Sequence, residues 1–455
     1  MLRLPHLKSV VAAFVLMASA AQIAHPQQAP GAPDNAPLLT LDDAVSLALK
    51  DNRLVKNTAL EVEKFTFQVN TARSRRLPQF QFNMLGGELL HSFDFSFPAG
   101  SWGTYPGIGP LPSKEAKVHT PAVFTTYLTG SVDEPLLQQY KIGLAIRETK
   151  LGREIASEDV RAERQKIAAE VRNAYFQIVA TQTAIEATRQ AVATLQEAQR
   201  VTAEHEAQQT VLRGEALEVS ARLAKSRYEL ALSESALDSQ HEQLNELLGR
   251  EVATPFRVET TIENEAPDLS LAAARQTAQG NRPEIRQADL KRHQAELDRR
   301  LAKAEYIPDL SLSIRYQGIN NVQVLPGKVA TAGFFLSWEP FDWGRRRNNV
   351  SEKTRAVEQA RNGAKETTDQ VAVEVGLKYR KFTNVTLLLK ATRAEQQAAA
   401  EQLRITTNRY KEQAALVKDL LQAQTYSSEA DAQFQQALSS YWTALAELRR
   451  AMGEE

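Results

Sequence analysis

The chain has 455 residues, 55 lysines and arginines against 55 aspartates and glutamates, and no cysteine. That length can hold more than one ordinary core, and the balanced charge gives no reason to expect nucleic acid or an acidic partner. Without cysteine there can be no disulfide, no thiolate metal site and no lipid-modified N-terminal cysteine.

At the start, Arg3 and Lys8 precede an apolar run, Val10 to Met17, and then the small residues "ASAAQIA". This layout predicts a secretory signal peptide over 1–24, cleaved after Ala20 or Ala24, followed by a Pro-rich linker over 25–37. No later run approaches the roughly 18 apolar residues of a membrane-spanning helix. The protein is therefore expected to be exported, and any membrane contact has to use strands.

From residue 38 the chain runs through one plan twice. "LLTLDDAVSLALKDNRLV" (38–55) matches "DLSLAAARQTAQGNRPEI" (268–285), "LPQFQF" (77–82) matches "IPDLSL" (307–312), and "SVDEPL" (131–136) matches "LSWEPF" (336–341). "AAEVRNAYFQI" (168–178) and "VAVEVGLKYRKF" (371–382) align Tyr175 with Tyr379, and the halves close at Gly249 and Gly453. The first repeat, 38–250, is predicted as a helix, a strand pair (79–91 and 120–133), a long helix (136–208) and a returning helix (211–249). A connector over 251–268, with no helical period, leads to the second repeat, 269–455. There the elements are a helix (270–306), strands over 309–319 and 329–339, a long helix (343–411) and a returning helix (414–453).

The strands are read from strict alternation, the period of a ribbon with one dry face. Phe80, Phe82 and Met84 alternate with glutamine and asparagine, and Phe124 and Leu128 share a side of the next strand. Leu310, Leu312, Ile314 and Tyr316 alternate with Ser311, Ser313, Arg315 and Gln317, and Phe334 and Leu336 share a side of the fourth strand. Each strand has the length of a tilted bilayer-crossing strand, about 9 to 11 residues, so these apolar residues are expected to face lipid. Two hairpins packed on a soluble core are the alternative, but the polar faces, with Asp309, Arg315 and Gln317, leave only one face that wants to be dry.

The helices are read from Val160, Ile167, Val171, Ala174, Ile178, Ile185, Val192 and Leu195, spaced by sevens, threes and fours as along a coiled-coil seam. Each long helix would reach roughly 100 Å at 1.5 Å per residue. One returning helix and one pre-strand helix end to end cover that length, which points to a hollow cylinder of even height. Four strands leave two open edges, which hydrocarbon does not tolerate, so the sheet has to close with copies of itself. Two copies give an eight-stranded barrel filled by its side chains and three give twelve strands around water; the polar inner face favours the trimer. The loop 92–118, rich in glycine, proline and aromatics, suits the cell exterior, and 320–328 is its shorter equivalent. Trp338 and Trp343 stand where a membrane-interface aromatic belt would lie, with Arg345, Arg346 and Arg347 just beyond.

Taken together, the twofold plan, "NRP" (281–283) ahead of "IPDL", the "EPL" and "EPF" corners, "AYFQI" and "RYKEQAALVKDLLQAQ" (409–424) resemble the TolC-like outer membrane efflux family over nearly all of 38–453. The resemblance implies a mainly α protein with a small transmembrane β part, a trimer whose 12-stranded β-barrel sits on an α-barrel in the periplasm. It also implies a passive exit duct for drugs, metals or proteins, docked through a periplasmic adaptor to an inner-membrane pump, in contact with outer-membrane lipid and without cofactor or metal. For the periplasmic mouth it points to Tyr410, Asp419 and Gln422; Gln413 replaces the family's glycine and Gln422 its second acid, which weakens an acidic ring. Val211, Leu212 and Arg213 at the first helix turn, with Leu416 and Val417 at the second, are the expected adaptor-facing tips.

Two other classes of protein fit the sequence less well. For an enzyme, His205 and His241 each precede a glutamate, but neither completes a two-histidine zinc pattern, and no nucleophile elbow or phosphate-cradling glycine loop is present. A soluble periplasmic coiled-coil scaffold or adaptor would account for the heptads but not for four amphipathic strands of membrane length.

Overall fold

A computed structural model describes residues 36–208, 212–259, 269–321, 326–412 and 414–454. The signal peptide, most of the linker, Val211, Gln413 and the end of the connector lie outside these residues.

A short strand β1 (Leu38–Leu39) leads into α1 (Leu41–Asp51) and α2 (Arg53–Ser74). Asn52 divides the two helices: its Oδ1 accepts from the backbone N–H of Leu54 (2.8 Å) and Val55 (3.3 Å), and its Nδ2 donates to the Leu247 carbonyl (2.8 Å). β2 (Gln79–Glu88) follows, then β3 (Phe93–Phe97), β4 (Thr104–Tyr105), β5 (Gly109–Pro110), β6 (Ala116–Thr120) and β7 (Phe124–Pro135). The first expected strand therefore ends three residues early, and the second starts at Phe124 instead of 120. The loop between them is itself folded, with β3 paired to β6 and β4 to β5.

The 70-residue α3 (Gln138–Ala207) and α4 (Arg213–Leu247) complete the first half. β8 (Arg257–Val258) then pairs in parallel with β1. The helix expected over 270–306 is two helices, α5 (Leu271–Asn281) and α6 (Pro283–Ala304). Pro283 opens α6 at its first position and holds Arg282 in an extended conformation, φ −70° and ψ 121°, which interrupts the helix. β9 (Asp309–Asn320), β10 (Lys328–Ser337), α7 (Arg345–Lys411) and α8 (Val417–Met452) end the chain.

β10, β9, β7 and β2 form one antiparallel sheet in that order, so β10 and β2 are its edges. The four helices that flank these strands, α2, α3, α6 and α7, all meet the sheet at the same end, because Gln79 faces Asp133 and Asp309 faces Ser337 across the strands. α3 packs against α2, α4, α6 and α8, and α7 against α5, α6 and α8.

Three apolar clusters run from the sheet to the far end of the helices. Beside the sheet are Leu144, Leu297 and Ala304. Midway, Ile167, Val171 and Ile178 of α3 meet Val45, Ala274, Val375, Leu244 and Leu448, and the rings of Phe176 and Trp442 stack 3.9 Å apart. At the far end, Val192, Leu195 and Val201 meet Val219, Leu223, Leu420 and Leu421. The heptad positions Ile167, Val171, Ile178, Ile185, Val192 and Leu195 are all buried, since residues seven apart return to one side of a helix and that side faces its neighbours.

The same local devices occur in both halves. Thr40 caps α1 through the Asp43 N–H, and Ser270 caps α5 through the Ala273 N–H, both at 3.2 Å. The Tyr175 hydroxyl donates to the Leu39 carbonyl at 3.0 Å, and the Tyr379 hydroxyl to that of Leu269 at 2.9 Å. Gly249 (φ 72°) and Gly453 (φ 82°) each press their backbone on the junction between two helices, at Asp51–Asn52 and Asn281–Arg282. A side chain at either glycine would collide there and strain the left-handed backbone.

Candidate functional site

The sheet is the first candidate. Residues directly opposite across a pair share a face. Phe80 faces Val132, Met84 faces Leu128, Leu310 faces Leu336 and Leu312 faces Phe334, while Val132 faces Ile314 and Gly130 faces both Phe82 and Tyr316. Phe124 lies opposite Glu88 in the same series. The register thus gathers Phe80, Phe82, Phe124, Leu128, Leu310, Leu312, Ile314, Tyr316, Phe334 and Leu336 onto one face. The other face carries Gln79, Gln81, Asn83, Thr129, Ser131, Asp133, Ser311, Ser313, Arg315 and Gln317, with Leu85, Tyr127 and Phe335 among them. On that polar face, Asp309 takes an ion pair from Lys141 of α3 at 2.7 Å, tying the root of β9 to the long helix.

Where β10 gives way to α7, the backbone turns through a tightly held corner. The Asp342 carboxylate accepts from the N–H groups of Gly344 and Arg346, both at 3.0 Å. The buried Arg346 guanidinium meets Glu339 at 3.0 Å and Asp342 at 3.4 Å and donates to the Glu339 carbonyl at 2.6 Å, while Arg345 also pairs with Glu339. This corner holds Trp343 in the left-handed region (φ 54°), a conformation that costs a non-glycine residue about 1–2 kcal/mol. Trp338, Phe341 and Trp343 project from it, 61%, 83% and 97% exposed.

The turns at the far end of the helices are the second candidate. Leu212 and Leu416 stand out at 75% and 70% exposure, with Arg213 exposed beside Leu212. Val417 does not join them. It is only 5% exposed and packs into the apolar cluster with Leu420 and Leu421, because the first turn of α8 points it inward. Tyr410 is also interior: its ring is buried in the same cluster, its hydroxyl lies 2.8 Å from the Thr202 hydroxyl, and the His205 ring meets it edge-on at 6.1 Å. It joins α7 to α3 within the chain. Asp419 is exposed and accepts from the Leu416 N–H at 3.2 Å, the work of a helix cap, while Gln422 is exposed on the same helix.

Thr202 and Lys141 were not singled out from sequence. A threonine in a helix and a lysine near a strand carry no local signal of partners 208 and 168 residues away. Arg282, within "NRP", is a buried clasp, bonded to Glu284 and Glu374 at 2.8 Å each. Among the described residues no cluster of His, Asp and Glu could hold a metal ion, and no helix is long and apolar enough to cross a membrane.

Comparison with known proteins fits this geometry. Residues 274–454 match the family model described as outer membrane efflux protein. No curated protein matches significantly in sequence. Among solved structures, a membrane protein from Pseudomonas aeruginosa superposes with a TM-score of 0.74 at 19% identity, covering 91% of this chain and 90% of that one. The Campylobacter jejuni CmeC outer membrane channel gives 0.73 at 17%, covering 91% and 85%. The outer membrane protein VceC from Vibrio cholerae gives 0.69 at 17%, covering 91% and 96%. The chain is thus similar to the TolC-like outer membrane efflux proteins, in sequence over residues 274–454 and in fold over nine-tenths of its length.

Proposed function

We propose that the protein is the outer-membrane exit duct of a tripartite export system, a passive conduit and not an enzyme. Three copies close a 12-stranded barrel over an α-helical tunnel in the periplasm. A periplasmic adaptor joins the tunnel to an inner-membrane pump.

One observation carries this reading: a four-stranded sheet with one apolar face, one polar face and two unpaired edges. β2 runs away from the helices and β10 runs back toward them, so β2 of one copy and β10 of the next meet antiparallel. Alternation then continues around the ring, and the apolar face of every copy points the same way. Backbone groups left open at those edges could not lie in hydrocarbon. With two copies the eight-stranded interior would be filled by its own side chains, whereas Gln79, Thr129, Ser131 and Asp133 suit the water of a twelve-stranded lumen. Phe80, Phe82, Phe124, Leu128, Leu310, Leu312, Ile314, Tyr316, Phe334 and Leu336 then face lipid.

The paired devices at Thr40 and Ser270, Tyr175 and Tyr379, and Gly249 and Gly453 support a twofold internal repeat. Leu212, Arg213 and Leu416 form the adaptor-facing tip. Asp419 and Gln422 line the periplasmic mouth, and Tyr410 controls it from within by holding α7 on α3.

Cell fractionation followed by planar-bilayer recording tests the proposal. A heat-modifiable oligomer in the outer membrane that conducts ions is expected. A soluble periplasmic monomer would point instead to a coiled-coil scaffold.

A further inference from the structure

Along its four strands, the polar face of the sheet carries three ionisable side chains, Asp133, Asp309 and Arg315, among glutamines, serines and threonines. Lys141 neutralises Asp309 at the root of β9. Arg315 is held differently. Its Nε donates to the Ser313 hydroxyl at 3.3 Å, its guanidinium lies 5.4 Å from the centre of the Phe335 ring, and among the described residues it makes no ion pair. Arg315 is exposed, whereas the neighbouring Ser313 is only 7% exposed.

The register sets these groups in rows across the sheet. Thr331, Arg315, Ser131 and Gln81 stand side by side, and the row one step nearer the helices holds Gly333, Ser313, Asp133 and Gln79. Phe335 lies opposite Ser311, nearer still to the helices, so the Arg315 side chain leans back toward the level of Asp133. The Asp133 carboxylate interacts with the Ser313 and Ser131 hydroxyls and with the Arg315 charge. The two opposite charges thus flank one serine without closing on each other, and each still projects its field into the space on that side of the sheet.

We propose that Arg315 is a selectivity-determining residue of the duct, a cation on the lumen wall that offsets Asp133 and lets anionic cargo pass the barrel. In a barrel of three copies, three guanidinium groups and three carboxylates alternate at one level of the wall. Twelve strands about 4.8 Å apart close a barrel with a radius on the order of 10 Å. That matches the Debye length of about 10 Å at 0.1 M salt, so charges on the wall are felt across much of the lumen. Alone, the three aspartates would draw cations in and turn anions back; with the arginines beside them the wall leaves little net field on the axis. The contacts with Phe335 and Ser313 fix the guanidinium at that level. The inference rests on the trimeric barrel, whose lumen the polar face lines.

Planar-bilayer recordings of the full-length oligomer under a KCl gradient give the potassium-to-chloride permeability ratio from the reversal potential. Arg315→Gln leaves Asp133 unopposed and should raise that ratio on the order of three- to tenfold at low salt, the shift shrinking as ionic strength rises. Asp133→Asn should lower it by a similar factor, the double variant should return it close to wild type, and Arg315→Lys should keep it. An unchanged ratio in either conducting single variant, or a shift in the same direction in both, overturns the proposal. A shift as large in Arg315→Lys as in Arg315→Gln also overturns it, because the packing on Phe335 and not the charge would then set the ratio. If Arg315→Gln fails to assemble, Asp133→Asn decides by itself. A wild-type oligomer that conducts, with variants that leave the ratio unmoved, refutes only this inference, whereas the lack of any conducting oligomer refutes both.

Discussion

Ile314 gives the sharpest test of which face of the sheet meets lipid. It sits near the middle of β9, opposite Ala332 on one side and Val132 on the other. Replacing it with arginine puts a charge at the centre of the apolar face. An arginine at the midplane of a lipid-facing strand costs about 2–4 kcal/mol, and the proposed barrel of three copies would carry three, so the loss per assembled barrel is roughly 6–12 kcal/mol, comparable to the whole stability of an ordinary domain. Thr129 is the control: it lies opposite Asn83 and Gln317 on the polar face, where arginine keeps its water. Ile314→Arg should abolish the heat-modifiable oligomer and shift urea unfolding in lipid vesicles to much lower denaturant, while Thr129→Arg assembles and alters only conductance. Equal tolerance of the two variants, or loss of assembly with Thr129→Arg alone, would refute the assignment of the faces.

Further outcomes are expected along the helices. Tyr175→Phe removes a buried hydroxyl that donates to Leu39 and accepts from the Glu259 N–H, each at 3.0 Å. It should cost about 1–3 kcal/mol in denaturant unfolding, and Tyr379→Phe, with one bond to Leu269, should cost less. Tyr410→Phe breaks the bond to Thr202 and should raise single-channel open probability, whereas Asp419→Ala should weaken the α8 cap by about 1 kcal/mol. Closed recordings from Tyr410→Phe identical to wild type would remove Tyr410 from gating. Burial holds the His241 imidazole, which packs on Phe256, below its usual range. The unfolded chain then takes up the proton first, so stability is full above about pH 6.5 and declines as pH falls through that value. His241→Gln should flatten that slope in thermal melts measured between pH 7.5 and 5.5.

The alternation of Leu310 to Gln317 and the sevens from Ile167 to Leu195 were enough to name strand and helix, because each period places one kind of residue on one side whatever the surroundings. That the two halves close at Gly249 and Gly453 was equally legible, since the repeat itself marks the positions, but what those glycines press on, at Asn52 and Arg282, lies far away in the chain. Less could be read where the partner is remote. The split of 270–306 at Arg282 had its signal in Pro283, yet helical periodicity on both sides masked it. Val417 looked like part of an exposed turn until the first turn of α8 rotated it into the core.

The amino-acid sequence by itself determined that this chain is long helices carrying four half-dry strands, because hydrophobic period depends only on residue order. Only the tertiary structure decided which strands are edges, that the helices flanking them all leave from one end of the sheet, and that Tyr410 faces Thr202 and not open space. Those facts depend on contacts between residues far apart in the chain, and local pattern does not encode which distant surfaces meet.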